Sequence, residues 1–213
     1  MNSPWRRRRR ILLTVIVLIV AAATMRRPVL RAAGHALVVD EPIAPTDVIV
    51  VPQWAGEAGA IDAADLVRAR IAARVAVLSR PPTPAEQELI RRGIGYVDET
   101  GSLVRLLRAL GVPAIEVIPN AAAGTEAEGD LLPSWCEERN FQSVVVISTP
   151  DHSRRVRRAL RRSLSGRSTR VAIRAARYSP FDPDHWWETH DGLRLGIVEL
   201  EKLLLDVARH PIS

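Results

Sequence analysis

The sequence is poor in the residues that build disulfide scaffolds and cysteine-based metal sites. Cys136 is the only cysteine in 213 residues, so the chain forms no intramolecular disulfide and no cysteine metal cluster. Lysine is almost absent too, because Lys202 is the only one and arginine supplies nearly all the positive charge. A single cysteine suits either a cytoplasmic or an envelope location, so this scarcity leaves the compartment open.

Aromatic residues make up only 4% of the chain, and no platform of interleaved aromatic and basic residues is present. A net charge of +6 and a pI near 10.7 make nucleic acid or an anionic membrane surface partners to consider. We expect no nucleic-acid partner, and a basic nucleic-acid-binding protein is only a second alternative. No pattern in the sequence indicates a cofactor or an oligomeric state.

The N-terminus contains the one long uncharged apolar run, residues 11–25, between the arginines of residues 6–10 and Arg26 and Arg27. We predict a basic cytoplasmic N-terminus (1–10), a transmembrane anchor in the lipid bilayer (11–25) and a connector (26–45). Fifteen residues at about 1.5 Å each fall short of a ~30 Å hydrocarbon core, so flanking arginines must snorkel.

The excess of arginine before the run favours a single-pass protein of the plasma membrane with an extracytoplasmic C-terminal domain. Two alternatives stay open. Residues 21–23 are alanines that would suit the cleavage site of a signal peptide, and the run could also be the buried helix of a soluble protein.

Residues 46–210 alternate short β-branched runs with longer segments of helical periodicity. Strands are predicted at 47–52, 75–78, 115–118, 144–147 and 170–175. This alternation predicts an α/β fold: a three-layer, Rossmann-like parallel sheet flanked by helices, preceded by one N-terminal transmembrane helix. In the closing helix, 193–208, we expect the apolar residues to face inward, namely Leu193, Ile197, Leu200, Leu204 and Val207.

The candidate site follows the strand at 144–147, where Ser148, Thr149 and Pro150 form a turn and a helix begins. Open α/β sheets bind ligands at the carboxyl ends of their strands. His152 is the candidate catalytic residue, as a neutral base or a donor to an anion, and Arg155 lies one turn further on the same side. A histidine packed under the turn is the structural alternative.

Thr125 opens the preceding helix with Glu126 and Glu128 in its first turn, and strand order would bring this helix start beside His152. Capping and favourable interaction with the helix dipole explain these residues equally well. The other arginines behind His152 fit a solvated face. We expect no metal site, because the stretch 181–190 lacks a recognised ligand spacing. The candidate ligand-binding residues are Arg155, Thr125, Glu126, Glu128, Ser148, Thr149 and Asp151.

Four blocks in this order resemble the envelope family that includes SanA, ElyC and the YdcF-like proteins: DVIVV at 47–51, LLRALGVP at 106–113, GTEAEG at 124–129 and VVVISTPDHSRRVRRA at 144–159. The resemblance implies an N-terminal membrane segment and a Rossmann-like domain over 46–210. It also implies that His152 and Arg155 match the family's histidine and arginine, and that Thr125 with Glu126 or Glu128 matches its threonine and acidic pair.

The resemblance implies a membrane-anchored envelope protein that acts in cell-envelope biogenesis or barrier integrity. The residues fit binding of an anionic, phosphate-bearing metabolite or a lipid-linked phosphate. One departure favours an alternative, a catalytically degenerate interaction domain. Family members usually carry glycine-rich turns after the first two strands, whereas this chain has Pro52-Gln53-Trp54 and Ser79-Arg80-Pro81.

Overall fold

The computed structural model describes residues 4–95, 98–119 and 124–211. Within them a parallel sheet of five strands has the order β3-β2-β1-β4-β5. The predicted α/β, Rossmann-like fold is confirmed, and every predicted strand is present within a residue or two. The strands are β1 (Val48–Pro52), β2 (Arg74–Leu78), β3 (Ala114–Ile118), β4 (Ser143–Ser148) and β5 (Arg170–Ala175).

Helices cover both faces of the sheet, which explains why its strands are continuous apolar runs. In β1, Ile49 and Val51 belong to one buried cluster and Val48 and Val50 to the other. Helices α2 (Gly56–Arg68), α3 (Pro84–Arg91) and α4 (Glu99–Ala109) lie between the first three strands in the chain, and α5 (Thr125–Glu138) and α6 (Pro150–Ser163) flank β4. α2 and α4 build the first cluster, whereas α5 and α6 build the second.

Local signals fix several helix starts. Thr83 and Glu86 form the predicted capping box at the start of α3, with Pro84 at the first helical position. Thr149 occupies the N-cap position of α6, but its side chain makes no capping hydrogen bond. Gly124, at a φ of 111°, is the N-cap of α5, which leaves the Thr125 hydroxyl free to face the rest of the domain.

The first helix, α1 (Pro4–Leu37), contains a segment from Leu12 to Leu37 that is long and apolar enough to cross a membrane. The helix continues to Leu37, so the first part of the predicted connector is helical and only residues 38–45 run without regular structure. Pro28 lies inside the helix. A signal sequence satisfies the same length and composition criteria, so the cleaved alternative stays open.

The C-terminal end of α1 is fastened to the domain by Trp186, whose indole nitrogen donates to the carbonyl of Leu30 at 2.8 Å. The buried ring lies between two helices at glycines, because a Cβ at Gly34 of α1, or at Gly196 of the last helix, would collide with it. Arg154 caps the end of α1 by donating to the carbonyls of Ala36 and Val38. The end of α1 is thus part of the folded domain.

The last helix, α7 (His190–Arg209), is oriented differently from the prediction. Its buried face carries Gly192, Gly196, Glu199 and Asp206 rather than leucines. Of the five residues expected inside, only Leu200 packs against the buried cluster around Trp186. The other four, Leu193, Ile197, Leu204 and Val207, are exposed. Acidic residues take the inner face because the helix it packs against, α6, carries six arginines.

The contact between Trp186 and α7 yields a stability prediction. Gly196→Ala would force its methyl group into the indole ring, and we expect a loss of about 1–3 kcal/mol in unfolding free energy, as for other overpacked cores. Gly95→Ala is the matched control, since a Cβ there has no neighbour within 4 Å. Chemical unfolding followed by circular dichroism measures both. Equal stability of the two variants would show that Trp186 does not occupy this position.

Candidate functional site

The candidate site lies at the carboxyl edge of the sheet, between β1 and β4. The chain moves outward from β1 to β2 and β3 in one direction, and then returns to place β4 on the other side of β1. Such a reversal leaves a crevice at the strand ends, which is where open α/β sheets bind ligands. Residues after β1 and β4 line it, and α6 begins there.

His152, in the first turn of α6, is almost fully buried and holds both ring nitrogens in polar contacts. Nδ1 lies 2.9 Å from Oε2 of Glu199, and Nε2 lies 3.3 Å from Oγ1 of Thr125. Because Glu199 is ionised, Nδ1 carries the proton that it donates to the carboxylate. In the neutral ring, Nε2 is therefore the acceptor, and the Thr125 hydroxyl donates to it.

Arg155 closes these contacts into a ring of hydrogen bonds. Its Nε donates to Oε2 of Glu199 at 3.1 Å, and its Nη1 donates to Oγ1 of Thr125 at 2.8 Å. Its Nη2 lies 3.0 Å from Nδ1 of His152, but that nitrogen already donates to Glu199 and accepts nothing. The predicted group of His152, Arg155 and Thr125 is therefore brought together in the structure, and Nη2 keeps donor capacity for a ligand.

Glu199, from α7, is the carboxylate at the centre of this arrangement, and sequence reasoning missed it. Burial alone would raise its pKa. The hydrogen bond from His152 and the charge of its ring when protonated, with hydrogen bonds from Lys202 and Arg155, outweigh burial and hold the pKa of Glu199 far below its ordinary value. Lys202 donates to the second oxygen, Oε1, at 2.7 Å. The sequence signal that could have found Glu199 is its position three residues after Gly196 and seven after Gly192, which places it on the same helix face as these two small residues.

The two acids predicted beside His152 are directed elsewhere. Glu126 is exposed and pairs with Arg162 of α6, at 2.5 Å. Glu128 accepts a hydrogen bond from the indole nitrogen of Trp54, at 3.0 Å to Oε2. Neither contacts His152 in the structure, so the carboxylate that orients the imidazole comes from α7 and not from α5.

The residues of the turn have mainly structural contacts. Ser148 is fully buried, and its hydroxyl donates to the carbonyl of Thr149 at 3.0 Å. Burial raises the pKa of the Asp151 carboxyl, and a hydrogen bond with the Thr149 side chain opposes this shift. Ser148 and Asp151 are therefore buried beside His152 in the chain, and of the three turn residues only Thr149 is partly exposed.

Trp54 fills most of the crevice in place of a glycine-rich turn. Its ring contacts the His152 ring edge-on, with centroids 4.6 Å apart. The cavity left between Trp54, Thr125 and Glu128 measures about 20 Å³, enough for a single water. A cleft of about 890 Å³ also has Trp54 in its wall, but it is lined by Glu57 and Glu99, which disfavour an anionic ligand.

Arg80, in the turn after β2, and Gln53, in the turn after β1, pair with side chains of α3 and α4. Arg80 forms a bidentate ion pair with the buried Glu86, at 2.6 and 2.7 Å. The Gln53 side chain accepts from Thr100 at 3.1 Å and donates to Glu99. This part of the sheet edge is therefore filled by paired side chains.

Most of the arginines behind His152 are fixed by ion pairs, which corrects the prediction of a solvated face. Arg154 caps α1, Arg157 pairs with Glu41 at 2.7 Å, and Arg158 and Arg162 both pair with the buried Asp206. Burial would raise the pKa of Asp206, but these two arginines hold it below its ordinary value. Arg161 is the one of the six that is exposed.

Among the described residues, one group has the spacing of metal ligands: Glu126, Asp206 and His210. Arg158 and Arg162 already neutralise Asp206, so a cation there would have to displace two guanidinium groups. In the stretch 181–190, acids and histidines form ion pairs with α1 or with each other. Asp184 faces Arg31 and His35, and Asp182 pairs with His185.

The site geometry can perform two kinds of chemistry. A hydroxyl that donates to a neutral imidazole, itself oriented by a carboxylate, is the arrangement of general-base activation. A guanidinium next to the N-terminal ends of α5 and α6 suits an anion. Both need Thr125 and Arg155 to reach a ligand through the space that Trp54 now restricts.

Comparisons with known proteins give no relative. No protein-family model matches the chain, no curated protein is similar to it, and no solved structure resembles it closely enough to be matched. The resemblance to the SanA, ElyC and YdcF-like family therefore rests on the four sequence blocks alone.

The role of Glu199 yields a second prediction. Glu199→Gln would leave Arg155 and Lys202 without their carboxylate, and we expect a loss of about 3 kcal/mol of stability, the lower end for a broken buried ion pair, because Lys202 stays solvated. Glu201→Gln, an exposed acid on the same helix, is the control and should change stability by less than about 0.5 kcal/mol.

The loss should depend on pH in a defined direction. Because the folded-state pKa is depressed, the contribution of Glu199 is fully present above the ordinary glutamate value of 4.5 and disappears as the pH falls below it. Urea unfolding of both variants at neutral and acidic pH measures this. A Glu199→Gln difference that persists unchanged at low pH would contradict an ionised, paired Glu199.

Proposed function

We propose that the protein is a membrane-anchored envelope protein of the SanA, ElyC and YdcF-like type, with residues 11–25 in the bilayer and the α/β domain on the extracytoplasmic side. Its domain binds an anionic, phosphate-bearing envelope metabolite or lipid intermediate, and through it contributes to envelope biogenesis or barrier integrity. His152, Arg155 and Thr125 contact the ligand.

The observation that supports this function most directly is the convergence of Arg155, Thr125 and His152 at the start of α5 and α6. Helix N-termini attract anions, and the guanidinium of Arg155 adds a charged donor in a partly dry environment. The alternatives nearby are less suited, since the larger cleft beside Trp54 is lined by Glu57 and Glu99. A phosphate group is the anion that this geometry fits best.

The position of α1 favours a ligand linked to lipid. Its end contacts the first turn of α6, where the Ser153 hydroxyl accepts from the backbone N–H of Val39, just after the helix, at 2.7 Å. The membrane helix therefore leaves the domain at the same edge of the sheet that carries the site. From Met25 to Leu37 the helix rises about 18 Å. With Met25 at the bilayer surface, a lipid-linked headgroup reaches the site by extending about that distance from the membrane.

Binding is tested with the full chain in lipid nanodiscs, titrated by calorimetry with inorganic phosphate and with a short-chain prenyl phosphate. We expect binding of the prenyl phosphate that weakens about tenfold or more in Arg155→Ala, because a charged hydrogen bond is lost. Arg161→Ala, an exposed arginine of the same helix, is the control and should bind like the wild type. Equal binding by Arg155→Ala, or none by the wild type, would reject the function.

A second candidate function is a non-enzymatic interaction domain of the envelope, and the position of Trp54 favours it. The indole occupies the crevice where a ligand would enter, and its nitrogen is held by Glu128. An α/β domain whose crevice is filled in this way can act through its outer surface alone.

Complementation separates the two candidates. If the site binds ligand, His152→Ala and Arg155→Ala proteins fail to restore the envelope of a strain that lacks the gene, although they accumulate normally in the membrane. If the domain acts through its surface, both variants restore it as well as the wild type does. Trp54→Ala adds a second readout, since opening the crevice should raise prenyl-phosphate affinity only under the first function.

A further inference from the structure

The outer side of α7 carries an apolar row that nothing in the described structure covers. Leu193, Ile197, Leu204 and Val207 are exposed by 39%, 52%, 69% and 41%. With the half-buried Leu200 they repeat at alternating intervals of four and three residues. We call these five residues the α7 seam. Their spacing is that of the a and d positions of a coiled coil, which suit another helix better than water.

We propose that the α7 seam is the contact between two copies of this chain, which pair with their α7 helices parallel in the same membrane. The proposal is independent of the ligand site, because none of the five seam residues contacts His152, Arg155 or Thr125.

The orientation of α7 relative to α1 supports a second copy as the occupant. Trp186 donates to the carbonyl of Leu30 in α1, and its ring lies against Gly196 in the first half of α7. Further along both helices, the end of α1 reaches α6 beside His152, and His152 contacts Glu199 of α7. Progress along α1 thus corresponds to progress along α7, so the two helices run in the same sense. Two copies with anchors in one bilayer therefore present parallel seams, and each seam residue meets its own equivalent.

The same orientation argues against the bilayer as the occupant. Because α7 leads away from the membrane end of α1, Leu193 and Val207 lie about 21 Å apart along a helix directed away from the lipid. The residues beside the seam include both Arg194 and Glu201, without the excess of basic residues that anionic headgroups attract.

The area of the seam fits a contact that the anchor assists. Stable dimers bury about 800 Å² on each partner, and four partly exposed aliphatic side chains supply on the order of 400 Å². α1 lies beside α7, and its apolar residues are exposed as far as Val29, at 61%. α1 can supply the remaining area, and confinement to one membrane raises the effective concentration of the second copy.

The test uses cysteine cross-linking of the full chain in native membranes under mild oxidation. Leu204→Cys lies in the seam, whereas the adjacent Leu205→Cys is a similarly exposed leucine, at 49%, on a different side of the helix. Cys136 gives little background, because it is fully buried and burial raises its thiol pKa to about 12. We expect disulfide-linked dimers from Leu204→Cys and at least fivefold less from Leu205→Cys.

A second measurement distinguishes a dimer formed through the α7 seam from one formed by the membrane anchors alone. Leu204→Asp should convert a detergent-solubilised dimer to a monomer in light scattering, and Leu205→Asp should leave it dimeric. Equal cross-linking of the two cysteine variants, a wild-type monomer, or quenching of a label on Leu204→Cys by lipid-borne nitroxides would each overturn the proposal.

Discussion

The buried carboxylate of Glu199 joins the last helix to the residues of the candidate site. It accepts hydrogen bonds from His152, Arg155 and Lys202, and in doing so fixes α7 against the start of α6. The desolvation of a carboxylate is costly, and only the surrounding positive groups keep it ionised. The orientation of the imidazole follows from that charge, because an ionised Glu199 requires a proton on Nδ1 of His152. The acceptor at Nε2 and the direction of the Thr125 hydroxyl follow in turn.

The same principle explains the unusual helix pair formed by α6 and α7. An arginine-rich helix against a sheet would ordinarily present its charges to water. Here Asp206 pairs with Arg158 and Arg162, and Glu41 with Arg157, so that several charges are satisfied at half-buried positions. Asp206 lies with Glu199 on the inner face of α7, and Leu193, Ile197, Leu204 and Val207 of the same helix are left exposed. The exposed seam is therefore a consequence of how the arginines are neutralised.

Much of the fold could be predicted from the sequence, because its signals are local. Continuous β-branched runs predict buried parallel strands, and Thr83, Pro84 and Glu86 predict a helix start that the structure confirms. His152 and Thr125 could be placed near each other because strand order alone brings their helix starts to one edge. That His152 is catalytic, and that the other candidates contact a ligand, remain predictions.

Other features depended on tertiary contacts that no local pattern reports. The periodicity of α7 correctly predicts a helix with an apolar side, but only the charge of α6 decides which side is buried. Likewise, the helix of the predicted membrane segment continues to Leu37 because Trp186 and Arg154 hold its last turns. The departure at Trp54 was visible in the sequence, whereas its place against the His152 ring required the structure.

Glu199 orients His152 so that Nε2 accepts from Thr125. Long-range heteronuclear NMR of the imidazole nitrogens tests it most directly, with His152 assigned by comparison with His152→Gln. At a pH where the ring is neutral, we expect a proton on Nδ1 and none on Nε2. In Glu199→Gln we expect this preference for one tautomer to be lost. A ring protonated on Nε2, or a tautomer that does not change in Glu199→Gln, would contradict it.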